Sequence, residues 1–151
     1  MKLQYLSDLH LEFASMDVPI TDADVVILAV DIHSGGNKAV DWASKFPQDV
    51  IYVLGNREYY SGDTIIELPD KLKAYSMKYD NVHVLNNDSL IINDVAFHGC
   101  KLWTDFELYG NAELAFYYAR GAISDYQLIR FDEVQSLTPA LVAELHKNSD
   151  A

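Results

Sequence analysis

Residues 25–58 read VVILAVDIHSGGNKAVDWASKFPQDVIYVLGNRE, and this stretch decides the fold. It opens on a continuous apolar run, Val25 to Val30, and reaches a second at Val50 to Leu54. Unbroken aliphatic and β-branched runs, with no polar alternation, suit strands buried on both faces of a parallel sheet. Between them Ala39, Trp42, Ala43 and Phe46 fall at i, i+3, i+4 and i+7, the spacing of one helical face. Gly35, Gly36 and Asn37 precede this helix and Pro47 ends it. Strand, helix and strand make a βαβ unit, so the expected class is α/β.

Working outward, Leu3, Tyr5 and Leu6 make a short strand at the start of the chain. Ile65, Leu68, Leu72, Tyr75 and Tyr79 carry a second helical pattern, in which Pro69 either kinks the helix or occupies the first turn of one starting near Leu68. Val82 to Leu85, Leu90 to Ile92 and Val95 to His98 read as short strands, the last two separated by the turn pair Asn93 and Asp94. Asn111 to Arg120 is expected to be helical, and Gly121 to Ser136 gives no clean period. Thr138 and Pro139 are an N-cap and first-turn pair for a helix carrying Leu141, Val142 and Leu145. No internal repeat or linker interrupts this order, and 151 residues fit one domain or one half of a larger one, taken as a single unit over residues 1–151.

The composition excludes several function classes. Half the residues are hydrophobic and 23% are charged, which removes disordered and low-complexity chains. Twenty-three Asp and Glu against 11 Lys and Arg give a net charge of -12, which repels phosphate backbones and anionic lipid, so neither nucleic acid nor membrane is an expected partner. The single Cys100 cannot form an intrachain disulfide, and no signal peptide or apolar span is present, so the cytoplasm is the expected compartment.

In open parallel sheets, ligands bind beyond the carboxyl ends of the strands. Three consecutive strand ends carry metal-ligand residue types: Ser7-Asp8-Leu9-His10, Val30-Asp31-Ile32-His33 and Gly55-Asn56-Arg57-Glu58. A carboxylate and an imidazole two residues apart, leaving one strand in extended conformation, point the same way and can chelate one ion. A single Asp-x-His is commonplace, and its ordinary reading is a turn hydrogen bond. Three such ends in a row on one sheet point instead to a metal centre.

This order of blocks resembles the calcineurin-like metallophosphoesterases, whose blocks run D-x-H, G-D, G-N-H-E or G-N-H-D, an isolated His, and G-H-x-H. SDLHLEF resembles the first, AVDIHSGG the second and VLGNREYY the third, and GCKLWTDF is similar to a stretch that some bacterial members carry before their second half. The resemblance implies a metallophosphoesterase-like sheet with flanking helices, the first half of a two-sheet sandwich. It implies that Asp8 and His10 bind a first ion, that Asp31 bridges two ions, and that Asn56 binds the second through its side-chain oxygen. One or two divalent transition ions, Mn, Fe, Zn or a neighbour, are the implied cofactor. A bridged pair about 3.5–4 Å apart can hold a phosphoryl group and generate a hydroxide nucleophile near neutral pH.

The chain departs from that pattern in three places. Val30 stands where the family has Gly before the bridging Asp. Arg57 stands where the family has the His that protonates the leaving oxygen, and a guanidinium with a pKa above ~12 cannot do so near neutral pH. Arg57 can instead clamp phosphate in a bidentate contact, stand in for a poorly held second ion, or be a loop arginine paired with Glu58 or another carboxylate. The isolated His and the G-H-x-H block are missing. His33 is the best local substitute, His83 and His98 read as structural strand histidines, and His146 as a solvated one. The Tyr59-Tyr60 and Tyr117-Tyr118 pairs read as core or rim packing.

Other chemistries lack their motifs: Gly35-Gly36-Asn37-Lys38 does not have P-loop spacing, no G-x-G-x-x-G or G-x-S-x-G occurs, and Cys100 has no evident base. The expected function is metal-dependent hydrolysis of small phosphate esters, with Asp31, Asn56 and Arg57 at the reaction and activity impaired by the departures. The alternative is a truncated or degenerate member acting as a non-catalytic binding or self-associating module, with a homodimer covering the apolar face of the first sheet.

Overall fold

The computed structural model describes residues 1–149. Four strands, β1 (Leu3–Leu6), β2 (Val25–Ala29), β3 (Asp49–Val53) and β4 (Val82–Leu85), form a parallel sheet in the order β1-β2-β3-β4. Leu3 to Leu6 lie opposite Val25 to Leu28, Val25 to Ala29 opposite Asp49 to Val53, and Val50 to Val53 opposite Val82 to Leu85. Helix α1 (Gly36–Ala43) crosses from β2 to β3, and α2 (Leu68–Ser76) from β3 to β4. Pro69 sits in the first turn of α2, where its missing N–H removes nothing from the helix.

One face of the sheet is closed by these helices. Val26, Leu28, Val50, Tyr52, Val82 and Val84 pack with Ala39, Val40, Ala43, Phe46, Leu68 and Leu72 into the main core. Gly36 permits the helices to approach, because a Cβ there would lie 2.5 Å from Cδ1 of the buried Leu72. The opposite face carries Val25, Ile51 and Leu85, covered by Leu90, Ile92 and Phe97 of an antiparallel hairpin, β5 (Asp88–Ile92) and β6 (Val95–Gly99). Asn93 and Asp94, both at positive φ, make its two-residue turn. At the β1 edge of that face Leu3 and Tyr5 are 47% and 78% exposed.

The remaining elements are α3 (Ala112–Ala122), the single turn α4 (Asp125–Leu128) and α5 (Pro139–Ser149). The Asn111 side chain accepts from the Leu114 amide to cap α3, and Thr138 Oγ1 accepts from the Leu141 amide to start α5. The aperiodic stretch 121–136 folds back on the core through Ile129, and Leu137 and Val142 follow it inside. Tyr59 is fully buried as expected, but Tyr117 and Tyr118 are 77% and 65% exposed and do not pack in a core. His146 is half-buried on α5 rather than solvated. No helix among the described residues is long and apolar enough to cross a membrane.

Candidate metal centre

The β1–β2 crossover, residues 7–24, contains no helix, and its first residues run alongside the segment that follows β2. Asp8 N–H donates to Val30 C=O at 3.1 Å, His10 N–H to Asp31 C=O at 3.1 Å and Leu11 N–H to Ile32 C=O at 2.9 Å. These bonds lay one ligand-bearing segment against the other beyond the carboxyl end of the sheet. Asp8, His10, Val30 and Asp31 all take positive φ, between 46° and 68°. Asp tolerates that left-handed region; a β-branched residue does so at a cost of about 1–3 kcal/mol. A glycine at position 30 would escape that cost, a conformational reason for one there besides the steric one read from the sequence.

Asp8, His10 and Asp31 each offer a ligand atom, and these atoms lie within 4.8 Å of one another. Two carboxylates and an imidazole match the donor preferences of divalent transition ions. The third strand end closes on this group from the side. A Cβ on Gly55 would lie 2.0 Å from Oδ1 of Asp31 and 2.8 Å from its amide nitrogen, so only glycine allows this approach. Arg57 N–H then donates to Asp31 Oδ1 at 3.0 Å. Burial pushes the Asp31 carboxyl above its ordinary pKa; the Arg57 amide and His10 oppose that rise and Asp8 adds to it. A cation at this position offsets both the burial and the Asp8–Asp31 repulsion.

Asn56 and Arg57 begin a short 3-10 turn, Arg57–Ser61. Asn56 Nδ2 donates to Asp125 Oδ1 at 2.9 Å, which leaves the side-chain oxygen as the atom an ion can use. Tyr60 hydroxyl donates to the same Asp125 oxygen at 2.5 Å. The Arg57 guanidinium lies between two aromatic rings, 5.6 Å from the centre of Phe13 and 4.9 Å from that of Tyr60. It does not pair with Glu58. That carboxylate is fully buried and accepts from Ile32 N–H, Gly55 N–H and the Tyr52 hydroxyl, each at 2.8 Å. Burial pushes its pKa up against those hydrogen bonds.

The histidines divide as their surroundings require. His33 Nδ1 accepts from Gly35 N–H at 3.0 Å, which ties the ring into the turn before α1, and burial lowers its pKa. His83 bonds Asp49 at 2.9 Å and His98 bonds Ser89 at 2.7 Å, so both serve the strands that carry them. Sequence reading missed Glu12, Asp125 and Tyr60. Glu12 Oε2 accepts from Ser34 N–H at 3.2 Å and its other oxygen lies 3.5 Å from His10 Nδ1. Burial raises the Glu12 carboxyl, but backbone amides and His10 outweigh it and hold the pKa below its ordinary value. A groove of about 390 Å³ opens beside Asn56, lined also by Trp103, Thr104, Asp125 and Tyr126. A cavity of about 980 Å³ between α3 and the start of α5 contains none of these ligand residues.

No protein-family model matches the chain. Across 96% of its length it is 26% identical to an uncharacterized protein of Acanthamoeba polyphaga mimivirus, of which it spans 58%. The crystal structure of phosphopantetheinyl hydrolase from Mycobacterium tuberculosis matches 99% of the chain with a TM-score of 0.74 and 15% identity, and the chain spans 61% of that protein. The likeness at that identity is one of fold. The chain therefore has a mixed α/β fold shared with a hydrolase, spans about three-fifths of each relative, and carries Asp8, His10 and Asp31 as a group able to hold a metal ion.

Proposed function

We propose that the protein is a metal-dependent hydrolase of small phosphate esters. The observation that carries this reading is the convergence of Asp8, His10 and Asp31 within 4.8 Å, on backbone held in left-handed conformations beyond the ends of β1 and β2. Asp8, His10 and Asp31 would hold the first ion, and Asp31 with the side-chain oxygen of Asn56 a second. A bound divalent ion polarises a phosphoryl oxygen and lowers the pKa of water. The chain's own residues do the rest. Arg57, its guanidinium held over the Phe13 and Tyr60 rings, would present it to the phosphoryl oxygens, where two parallel N–H donors fit the geometry. It cannot protonate the leaving oxygen, so esters of acidic alcohols react faster than those of simple alkyl alcohols. The groove beside Asn56 receives the organic part of the ester. The net charge of -12 disfavours polyanionic substrates.

Calorimetric titration with Mn2+ and Zn2+, followed by hydrolysis of bis-p-nitrophenyl phosphate, tests the reading. One ion should bind ahead of a second, and Asp31→Ala should abolish both binding and turnover. Binding without turnover of any phosphate ester would make the chain a metal-binding module instead. Turnover that survives Asp31→Ala would place the activity elsewhere.

A further inference from the structure

Glu12 lies outside the ligand set, yet its carboxylate bridges the two segments that supply it. One oxygen, Oε2, accepts from the amide of Ser34, three residues past Asp31. The other, Oε1, is buried without a hydrogen-bond partner and lies 3.5 Å from Nδ1 of His10, itself buried and equally without one. The two side chains are only 13% and 30% exposed, so water does not readily complete either group. Two complementary polar atoms buried side by side, just beyond bonding distance, are a hydrogen bond awaiting a small rotation of the ring.

We infer that Glu12 is a positioning residue for His10: its Oε1 accepts the Nδ1 proton, fixing the tautomer in which Nε2 is the ring nitrogen presented to the ion. The geometry leaves little choice of nitrogen, because Nδ1 is turned into the protein against the carboxylate. A carboxylate behind a ligand histidine orients the ring and increases the basicity of the far nitrogen. Here the same carboxylate is anchored to the Asp31 segment through Ser34, so it sets the imidazole relative to the Asp31 carboxylate as well. The Phe13 ring also lies near the imidazole, its centre 6.2 Å from that of His10.

The inference rests on the metal-binding reading of Asp8, His10 and Asp31, and its test separates the two. Zn2+ affinity is measured by calorimetry for the wild type, Glu12→Ala and Glu12→Gln, with the metal-free thermal midpoint as the control for folding. Glu12→Ala should weaken binding about 10- to 100-fold. Glu12→Gln, whose amide oxygen still accepts, should lose less. Ring 15N shifts of the zinc-loaded wild type supply a readout that needs no variant: His10 should carry its proton on Nδ1 and ligate through Nε2. Undiminished affinity in Glu12→Ala, or ligation through Nδ1, overturns the role of Glu12 while leaving the metal site intact. Absence of Zn2+ binding by the wild type overturns both.

Discussion

Around Asp8, His10 and Asp31 the backbone is held in strained conformations and ligand atoms face one another, whereas from Glu58 to Tyr60 the polar side chains are engaged by the protein itself. Glu58 serves two amides and a hydroxyl, Tyr60 donates to Asp125, and the Tyr59 hydroxyl accepts from Lys101 Nζ. A cation would offset the burial and the Asp8–Asp31 repulsion in the first region; the Glu58 carboxylate and the Tyr59 and Tyr60 hydroxyls are satisfied without one. Binding and scaffolding are thus divided between neighbouring strand ends, and variants on the two sides should behave oppositely.

The largest effect is expected on the complete side. Glu58→Leu strands Ile32 N–H, Gly55 N–H and the Tyr52 hydroxyl in the core, at about 1–3 kcal/mol for each unsatisfied group. Urea unfolding should show a loss of about 4 kcal/mol, while Asp8→Asn, which removes a charge that pushes Asp31 up, should show none for the metal-free protein. Equal losses at the two positions would erase the distinction between the regions.

Lys101 sharpens the comparison through pH. Its amine lies 4.0 Å from the centre of the Tyr59 ring and 4.8 Å from that of Trp103, and burial pulls its pKa from 10.5 down to about 7. Between those values the unfolded chain binds more protons than the folded one, so this group's contribution to stability rises with pH from about 7 towards 10.5 and is lost as pH falls through 7. The wild type minus Lys101→Met difference in unfolding free energy should rise by a kcal/mol or more between about pH 7 and 9. A flat difference would mean that Lys101 stays charged and is not buried.

A smaller effect, of opposite sign, belongs to the strained side. Val30→Gly removes a β-branched residue from φ 68° and should stabilise the metal-free protein by about 1 kcal/mol after glycine's greater unfolded entropy is subtracted. A lower thermal midpoint in the variant would mean that the Val30 side chain contributes more in packing than its backbone conformation costs.

The βαβ unit was legible in the sequence because its signals are local: two apolar runs, one helical face, a glycine pair and Pro47. The expected Val30 end of the first run shows where local signals stop. Its β-branched side chain favours extended backbone, but the strand ends at Ala29, and hydrogen bonds from the Asp8 amide and to the Val53 carbonyl hold Val30 at positive φ against that preference. Asp8, His10 and Asp31 were legible because strand ends of a parallel sheet converge by topology. Asp125 was not, since it reaches Asn56 across 69 residues from a segment with no period. Glu12 was not, since its meaning comes from Ser34 and His10 together, and the exposed Tyr117-Tyr118 pair shows that aromatic residues without a local pattern do not announce burial.

The amide-to-carbonyl bonds that join residues 8, 10 and 11 to residues 30, 31 and 32 have one more consequence. Donors that are spliced together through their main chains surrender little freedom when they close on a guest. A stiff ring of donors also resists expanding or contracting to suit that guest, so a large, weakly directional ion such as Ca2+ should bind less well than a compact one in a competition titration.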